Sequence, residues 1–559
     1  MSMISRIIIQ NYKGIKDADI TFNSDKNILV GNNGAGKSTV IEAMSLALGH
    51  GLSSIELTPY TFHKSTWDNY KLHKQLPEII IEVFFHNDPI LASYSGKNNL
   101  TKDEYTGIRL HIKFNETFRE IYEADHAPDN TIIPCEYYTI ERRWFSDDIV
   151  KQHKIPYFIH IIDSSSATQS LVRQSKFINN LIKYKLSDPE NIQMRSCLRK
   201  MKQSFENNDD IDSINKSLQD KTSTIKYNLS ISIDLTSDNA WNTIICPTID
   251  DIPLIQAGLG EQCIIKTLLA IDTKKSGDPN KKSIIIIEEP ESHLSHTKMY
   301  EMMNLLSANN SHEQIFITTH NSFVANKLDL TKLILLHNNN GSLTHKGLQL
   351  SPEDIDFYKY FFKACDYPTL RLILCKKAIV VEGPTDEMII TYFYKCEYGK
   401  HPFDDGIELI SVGSLAFKHY LKLANWLNIK VAVVTDNDSK SPAEVEARYL
   451  DDTVRDNIKV FTESDLALNT LEPSFLKANA DHLDKVAQII IKQRKTPIAK
   501  SDLLAFMLNN KTEWAFRILQ SIRDKDKETI DLEVSEDKLY TLNIPAYIKD
   551  AINWIRKDE

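Results

Sequence analysis

The sequence predicts an α/β protein of about two or three domains, because its 559 residues exceed what one hydrophobic core organises. Three observations carry that reading. A glycine-rich loop, GNNGAGKS (Gly31–Ser38), joins a short apolar strand to a segment with helical apolar spacing. Segments at 283–287, 314–318 and 333–336 read as buried strands and alternate with helical stretches, the pattern of a mostly parallel sheet. A second strand–helix pattern starts near Ala378 and brings acidic residues to strand ends.

Bulk properties bound the function classes. Hydrophobic residues make up 42% and charged residues 25% of the chain, which is ordinary for a soluble globular protein. No apolar run approaches the roughly 20 residues that span a bilayer, and no signal-peptide pattern opens the sequence. A cytoplasmic, non-membrane protein is therefore expected. The seven cysteines (135, 197, 246, 263, 365, 375 and 396) form no CxxC pair and read as reduced, buried thiols. The net charge of −10 excludes a protein coated in positive potential, but a local basic groove for nucleic acid is compatible with it.

In chain order, the alternation of Ile4, Ile7 and Ile9, then Ile20 and Phe22, then 28–30, predicts short strands with a turn at Lys13-Gly14. The stretch 77–85 is another strand, and 90–165 is uninformative. Residues 166–221 read as helical, with apolar Leu171, Phe177, Ile178, Leu181 and Ile182 but no sustained heptads, so a compact insertion is expected in place of a coiled-coil arm. The polar, aromatic stretch 350–374 joins two halves. Strands at 378–381 and 431–434 open the second, and the tail at 464–491 and 501–522 is mainly helical.

Strand, glycine loop and helix together make a phosphate cradle. Gly31, Gly34 and Gly36 let the backbone of Asn32, Asn33 and Ala35 curl so that N–H groups face phosphate oxygens. Lys37 supplies a point charge to the β- and γ-phosphates of ATP. The Ser38 hydroxyl is placed to ligate Mg²⁺, and Thr39 opens a helix whose dipole favours an anion. A strand ending in EEPESHL then delivers Glu288 to the Mg²⁺ shell and Glu289 to the attacking water. His320, after QIFITTH, is placed to sense the γ-phosphate, although a lone histidine at a strand end is often structural. The glycine turn at 256–261 leads into an apolar helix and resembles the signature motif of ABC-type ATPases, in which a second subunit's nucleotide is capped. Ala257-Gly258-Leu259-Gly260 lacks the usual serine that would meet the γ-phosphate, and an ordinary glycine-capped helix is the competing, less favoured reading.

In the second half, Glu382 ends a strand and Asp386 lies in the first turn of the next helix. Asp436 and Asp438 follow a second strand, and residues two apart on an extended chain point the same way. Four carboxylates without His or Cys neighbours favour Mg²⁺ or Mn²⁺ over zinc, and two such ions suit phosphodiester cleavage. The basic cluster Lys492, Arg494 and Lys495 is compatible with a DNA backbone track or with a solvated face.

A glutamate-glycine after one strand and an Asp-x-Asp after another looks like a TOPRIM domain. The order of all these motifs resembles the overcoming-lysogenization-defect nucleases, fusions of an ATPase and a TOPRIM domain that include the nuclease subunit of the Gabija antiphage system. The resemblance is weakest from about 90 to 240. It implies an ABC-type P-loop ATPase domain over 1–360, with a helical insertion and dimerisation region at about 150–235. A Rossmann-like TOPRIM nuclease domain with a helical C-terminal extension follows over 370–559. It further implies a metal-ligating glutamate, Glu472, and a catalytic lysine, Lys511, with Lys500 as competitor. An ATP-regulated DNA endonuclease acting in antiphage defence is expected, as a homodimer or homotetramer, with a helicase or another defence-system partner left open. The alternative is an ATP-gated DNA-binding or repair clamp that does not cut. A topoisomerase would need a nucleophilic tyrosine in a separate domain, which no segment obviously supplies.

Overall fold

The computed structural model describes residues 3–49, 55–86, 88–124, 131–151, 155, 157–163, 178–179, 181–182, 186–221, 229–233, 246–271, 282–307, 313–321, 324, 327–328, 330–347, 367–413, 417–450, 456–491, 500–521 and 542–557. The chain divides into two compact units, Met1–Gln349 and Leu350–Glu559.

The first unit is built on a twelve-stranded mixed sheet. Its strands include β1 (Ile4–Tyr12), β2 (Ile15–Thr21), β3 (Lys26–Val30), β4 (Ile79–Phe85), β5 (Tyr105–Phe114), β6 (Tyr138–Trp144), β7 (Tyr157–Asp163), β8 (Lys282–Glu288), β9 (Glu313–Thr319), β10 (Leu333–Asn339) and β11 (Ser342–Gly347). On one side β10, β3, β9, β8 and β7 run parallel. Ile284 to Ile287 of β8 are all wholly buried, the consequence of cover on both faces. On the other side β1, β2, β4, β5 and β6 pair antiparallel. The β1–β2 hairpin closes at Lys13-Gly14, with Lys13 at φ 48°.

The sequence reading of a mostly parallel sheet therefore needs correction. The parallel core carries an antiparallel wing, and the uninformative stretch 90–165 supplies its β5 and β6 as well as the parallel β7. Of these, β6 was illegible because it is half-buried along nearly its whole length and shows no clean alternation.

Helix α1 (Lys37–Ala47) follows β3 and packs Val40, Ile41, Met44 and Ala47 into the core beside β1 and β4. In the insertion, Leu171 and Phe177 lie outside the described residues. Ile178 and Leu181 are buried. Helices α2 (Asp188–Glu206) and α3 (Asp209–Lys221) are 19 and 13 residues long. A reciprocal cap starts α2, where Glu190 Oε2 accepts from the Ser187 N–H at 2.7 Å. Helices α4 (Leu259–Ile271) and α5 (His296–Ser307) complete the elements around the sheet that bear on the site.

The second unit holds a four-stranded parallel sheet in the order β13-β12-β14-β15. These strands are β12 (Lys377–Val381), β13 (Ile407–Ser411), β14 (Lys430–Val434) and β15 (Ile458–Phe461). Helix α6 (Pro384–Tyr398) follows β12, and α7 (Pro442–Tyr449) follows β14. Farther on come α8 (Leu471–Ala478), α9 (Lys511–Gln520) and α10 (Ala546–Arg556). The core joins Ile379, Val381, Ala432 and Val434 to Phe393, Phe475, Trp514, Ile548 and Ile552. No α10 was foreseen.

Among the described residues no helix is long and apolar enough to cross a membrane. Six described cysteines are free thiols. Cys197 and Cys246 are exposed, which corrects the expectation that the thiols are buried: Cys197 lies on a solvated helix and Cys246 in a loop. Cys365 lies outside the described residues.

Candidate functional site

The first site forms where β3 turns into α1. Glycine is required at three points of this turn. A Cβ at Gly31 would lie 2.9 Å from the Leu336 carbonyl oxygen, and Gly34 and Gly36 sit at φ 78° and 94°. Asn32, Asn33, Gly34 and Ser38 are exposed, Thr39 is half-buried and Ala35 is buried, its N–H donating to the Asn32 carbonyl at 3.0 Å. Lys37 is buried at 7% exposure and folds back on the loop, donating to the carbonyls of Gly31 at 2.7 Å and Asn32 at 3.2 Å. Desolvation lowers the pKa of its ammonium, while the negative charges of Glu289 and Glu291 push it back up. The loop thus exposes backbone and a hydroxyl and keeps its cation in reserve.

The parallel strands β8 and β9 pair Glu288 with Thr318 and end at the same edge. Glu288 and Glu289 are half-exposed there. Glu289 adopts φ 44°, and its N–H donates to the Thr318 carbonyl at 3.0 Å. His320 follows β9 directly. Its Nδ1 lies 3.5 Å from Glu289 Oε1 and 3.5 Å from Glu291 Oε1. Glu291 escaped the sequence reading, although the repeated acid in EEPE was its signal. The signature-like turn leads into α4, where Gln262 Nε2 donates to the carbonyls of Ile255 at 3.2 Å and Ala257 at 2.9 Å. A Cβ at Gly260 would stand 2.6 Å from the His293 carbonyl oxygen, so the α4 N-terminus packs against the loop after β8.

The second site lies at the carboxyl ends of β12 and β14. Gly383 caps α6 in an extended conformation, Pro384 opens the helix, and the Asp386 carboxylate reaches back to accept from the Gly383 N–H at 3.1 Å. Glu382 accepts from the Thr435 hydroxyl, which lies 3.4 Å from the Tyr449 hydroxyl. Glu472 is buried in the first turn of α8 and accepts from the Thr470 hydroxyl at 2.9 Å.

Burial first, then the charges of Glu382 and Glu472, raise the pKa of Asp386 to about 7. Asp436 rises to about 8 through burial and the charges of Asp386, Glu382 and Glu472, with Lys511 acting in the opposite direction. Five predicted residues thus share one field: Glu382, Asp386, Asp436, Glu472 and Lys511. Lys511 starts α9 with an exposed side chain. Lys500 begins a single 3₁₀ turn, Lys500–Asp502, and the cluster Lys492, Arg494 and Lys495 lies outside the described residues.

Asp438 departs from expectation. The chain turns after Asn437, and Asp438 takes φ 49°, so it does not point with Asp436 along an extended strand. Asn437 causes the turn: its buried amide donates to the carbonyls of Glu463 and Asp465, both at 3.0 Å, and accepts from the Ser439 N–H at 2.9 Å. The Asp438 carboxylate pairs with Arg448 at 2.9 Å, and the charge of Glu382 also raises that guanidinium.

The expected convergence of four carboxylates on one cation is likewise not closed. Among the described residues no three His, Cys, Asp or Glu side chains are gathered into a metal-holding group. Uncompensated like charges raise one another's pKa and hold apart. The donor chemistry nonetheless fits a hard divalent cation, since all four donors are carboxyl groups and the raised pKa values of Asp386 and Asp436 mark a place where positive charge would favour their ionised forms.

Thr435, Tyr449 and Arg448 were not foreseen, nor was Tyr547 of α10. Burial raises the Tyr547 phenol far above its ordinary range, with Asp386, Asp436, Glu463 and Glu472 adding to the effect. Thr435 directly precedes Asp436, and Arg448 and Tyr449 lie on α7 just after β14, so those three were close in sequence to the acids, whereas Tyr547 comes from α10, far along the chain.

The family model for an AAA ATPase domain matches residues 3–325, and that for an overcoming lysogenization defect protein-like TOPRIM domain matches 373–438. The endonuclease GajA of Bacillus cereus strain HuB5-5 is 22% identical over 95% of this chain and 93% of its own length. The GajA of strain VD045 is 21% identical over 78% of this chain and 75% of its own. Among solved structures, the C-terminal region of the Burkholderia pseudomallei OLD protein aligns with 33% of this chain and 98% of its own, at 20% identity and a TM-score of 0.24. The chain belongs to the AAA ATPase domain family, and behind that domain it carries a TOPRIM domain of the overcoming-lysogenization-defect type.

Proposed function

We propose that this protein is a DNA endonuclease in which ATP bound at Gly31–Thr39 regulates phosphodiester cleavage at Glu382, Asp386, Asp436 and Glu472. The observation that carries the reading is the shared field of those four acids with Lys511 beside it, on a chain that separately holds a formed phosphate loop. Asp386 and Asp436 are costly as neighbouring anions unless positive charge joins them. Bound Mg²⁺ or Mn²⁺, two ions in this reading, would supply that charge and activate water for attack at phosphorus. Glu382, Asp386, Asp436 and Glu472 would hold the ions, with Asp438 joining once released from Arg448. Lys511 would neutralise the scissile phosphate.

In the first unit, Lys37 would leave the Gly31 and Asn32 carbonyls for the β- and γ-phosphates. Ser38 and Glu288 would hold the accompanying Mg²⁺, Glu289 would orient water, and His320 would meet the γ-phosphate. If the α4 N-terminus caps a second subunit's nucleotide, a homodimer is the minimal assembly. The GajA relatives are named endonucleases, which supports the cleavage assigned here, and a cytoplasmic antiphage role is proposed from the resemblance to the overcoming-lysogenization-defect nucleases.

Plasmid incubated with Mg²⁺ or Mn²⁺, with and without ATP, tests the proposal. Nicking or linearisation by the native protein should vanish in Glu382→Ala, while nucleotide hydrolysis stays within about twofold of native. Absence of cleavage under every metal and nucleotide condition would sink the nuclease reading and favour a DNA clamp.

A further inference from the structure

At the edge shared by β8 and β9, one buried carboxylate has so far been given only a through-space effect on Lys37. The side chain of Glu291 is only 6% exposed. Its Oε1 accepts from the Thr319 hydroxyl at 2.6 Å and from the His320 N–H at 3.2 Å, while its Oε2 is buried with no hydrogen-bond partner. Burying a carboxylate with one oxygen unmatched is unfavourable, so the two bonds it makes must hold something in place.

What they hold is the junction between strand and sensor. Thr319 is the last residue of β9, and its hydroxyl also accepts from the Asn321 N–H at 2.9 Å. The segment Thr319–Asn321 is therefore pinned on both sides of His320. The imidazole Nδ1 stands 3.5 Å from Glu291 Oε1 and from Glu289 Oε1, which leaves it between a buried acid and a half-exposed one. This is the layout in which a third group orients a histidine against its working partner.

We infer that Glu291 is a positioning residue that fixes the backbone and ring of His320 against Glu289, so that Glu289 and the γ-phosphate sensor act as one unit. The inference rests on reading Glu289 as the water-orienting group of the nucleotide site. In this reading Glu291 acts through Thr319 and His320. It ties the loop after β8 to the end of β9.

The test uses the full chain, a fluorescent ATP analogue for binding and phosphate release from ATP for turnover. Glu291→Ala should lower kcat about tenfold or more and leave KM and analogue affinity within about threefold, because substrate contacts are untouched. Glu291→Gln keeps an acceptor oxygen for Thr319 and His320, so its kcat should stay within about threefold of native. It also keeps the inference testable if the alanine variant fails to fold. In a His320→Ala background, Glu291→Ala should cost less than about twofold further, since its action runs through that histidine.

Losses that multiply in the double variant, a change in KM without kcat, or an equal loss in Glu291→Gln would overturn the inference. Failure of the nucleotide-site reading looks different: native protein and Lys37→Ala would release phosphate at the same rate.

Discussion

Glu82 shows how much a single side chain can carry away from either site. It is wholly buried on β4, accepts from Arg109 Nε at 2.7 Å, and also accepts from the Leu100 N–H through both oxygens. Burial still outweighs these partners and holds its pKa above the usual carboxylate value. Removing the cation should leave a buried, uncompensated charge. Arg109→Met is expected to destabilise the first unit by about 3–5 kcal/mol in chemical denaturation, and a loss below 1 kcal/mol would contradict this account.

Cysteines offer a second check at the same scale. Burial pushes the Cys375 thiol up to about 12, with the charge of Glu408 adding to it, so almost no thiolate exists near pH 8. Iodoacetamide at that pH should label Cys197 and Cys246 and spare Cys375 until the protein unfolds, as read by peptide mass spectrometry. Labelling of Cys375 in native protein would show that its burial is wrongly understood.

Legibility at this scale followed chain proximity. Lys37, Glu289, Glu382 and Asp386 announce themselves because loop, strand end and helix start are adjacent in sequence. The turn at Asp438 stayed hidden because it depends on Asn437 reaching carbonyls 26 and 28 residues away.

At the level of elements, α10 is the instructive case. Its buried face, Tyr547, Ile548, Ala551, Ile552 and Ile555, recurs at helical spacing and packs in the core that contains β12 and β14. The pattern is readable once a helix is sought there, yet the sequence reading of the tail stopped at Ile522. Ile548 is wholly buried, so Ile548→Ala should cost about 2–5 kcal/mol in denaturation of the second unit. Because Tyr547 beside it lies in the field of Asp386 and Asp436, the same variant should also depress cleavage. Unchanged stability would mean that α10 is not part of this core. The β8 strand is the opposite case: four successive isoleucines, β-branched and in a short run, favour a strand buried on both faces, and the sequence reading of it holds.

For the whole molecule, charge sets the terms of DNA binding. A net charge of −10 means that affinity must come from local cations working against an unfavourable background. Affinity for a DNA duplex, measured by fluorescence anisotropy, should fall at least about tenfold between 50 and 200 mM salt. Millimolar Mg²⁺ should raise it in the native protein more than in Glu382→Ala, because the cation offsets the acids nearest the substrate. A salt-insensitive affinity would argue against any phosphate-tracking surface. Fold class was legible at this scale because each unit contains a strand–loop–helix motif, whereas the antiparallel wing, a matter of long-range pairing, was not.

The contact between Gly260 and the His293 carbonyl has a consequence for how this protein can change. Gly258, two residues earlier, has nothing within 4 Å of where a side chain would start, so that position is free to be randomised. Position 260 is sterically closed to every residue larger than hydrogen at Cα, whatever a partner subunit demands of it. A saturation library across 257–260 should therefore yield folded clones of many kinds at 258 and only glycine at 260. The irregular motif would then be half written by packing inside its own chain, leaving its neighbours as the part that selection for assembly can edit.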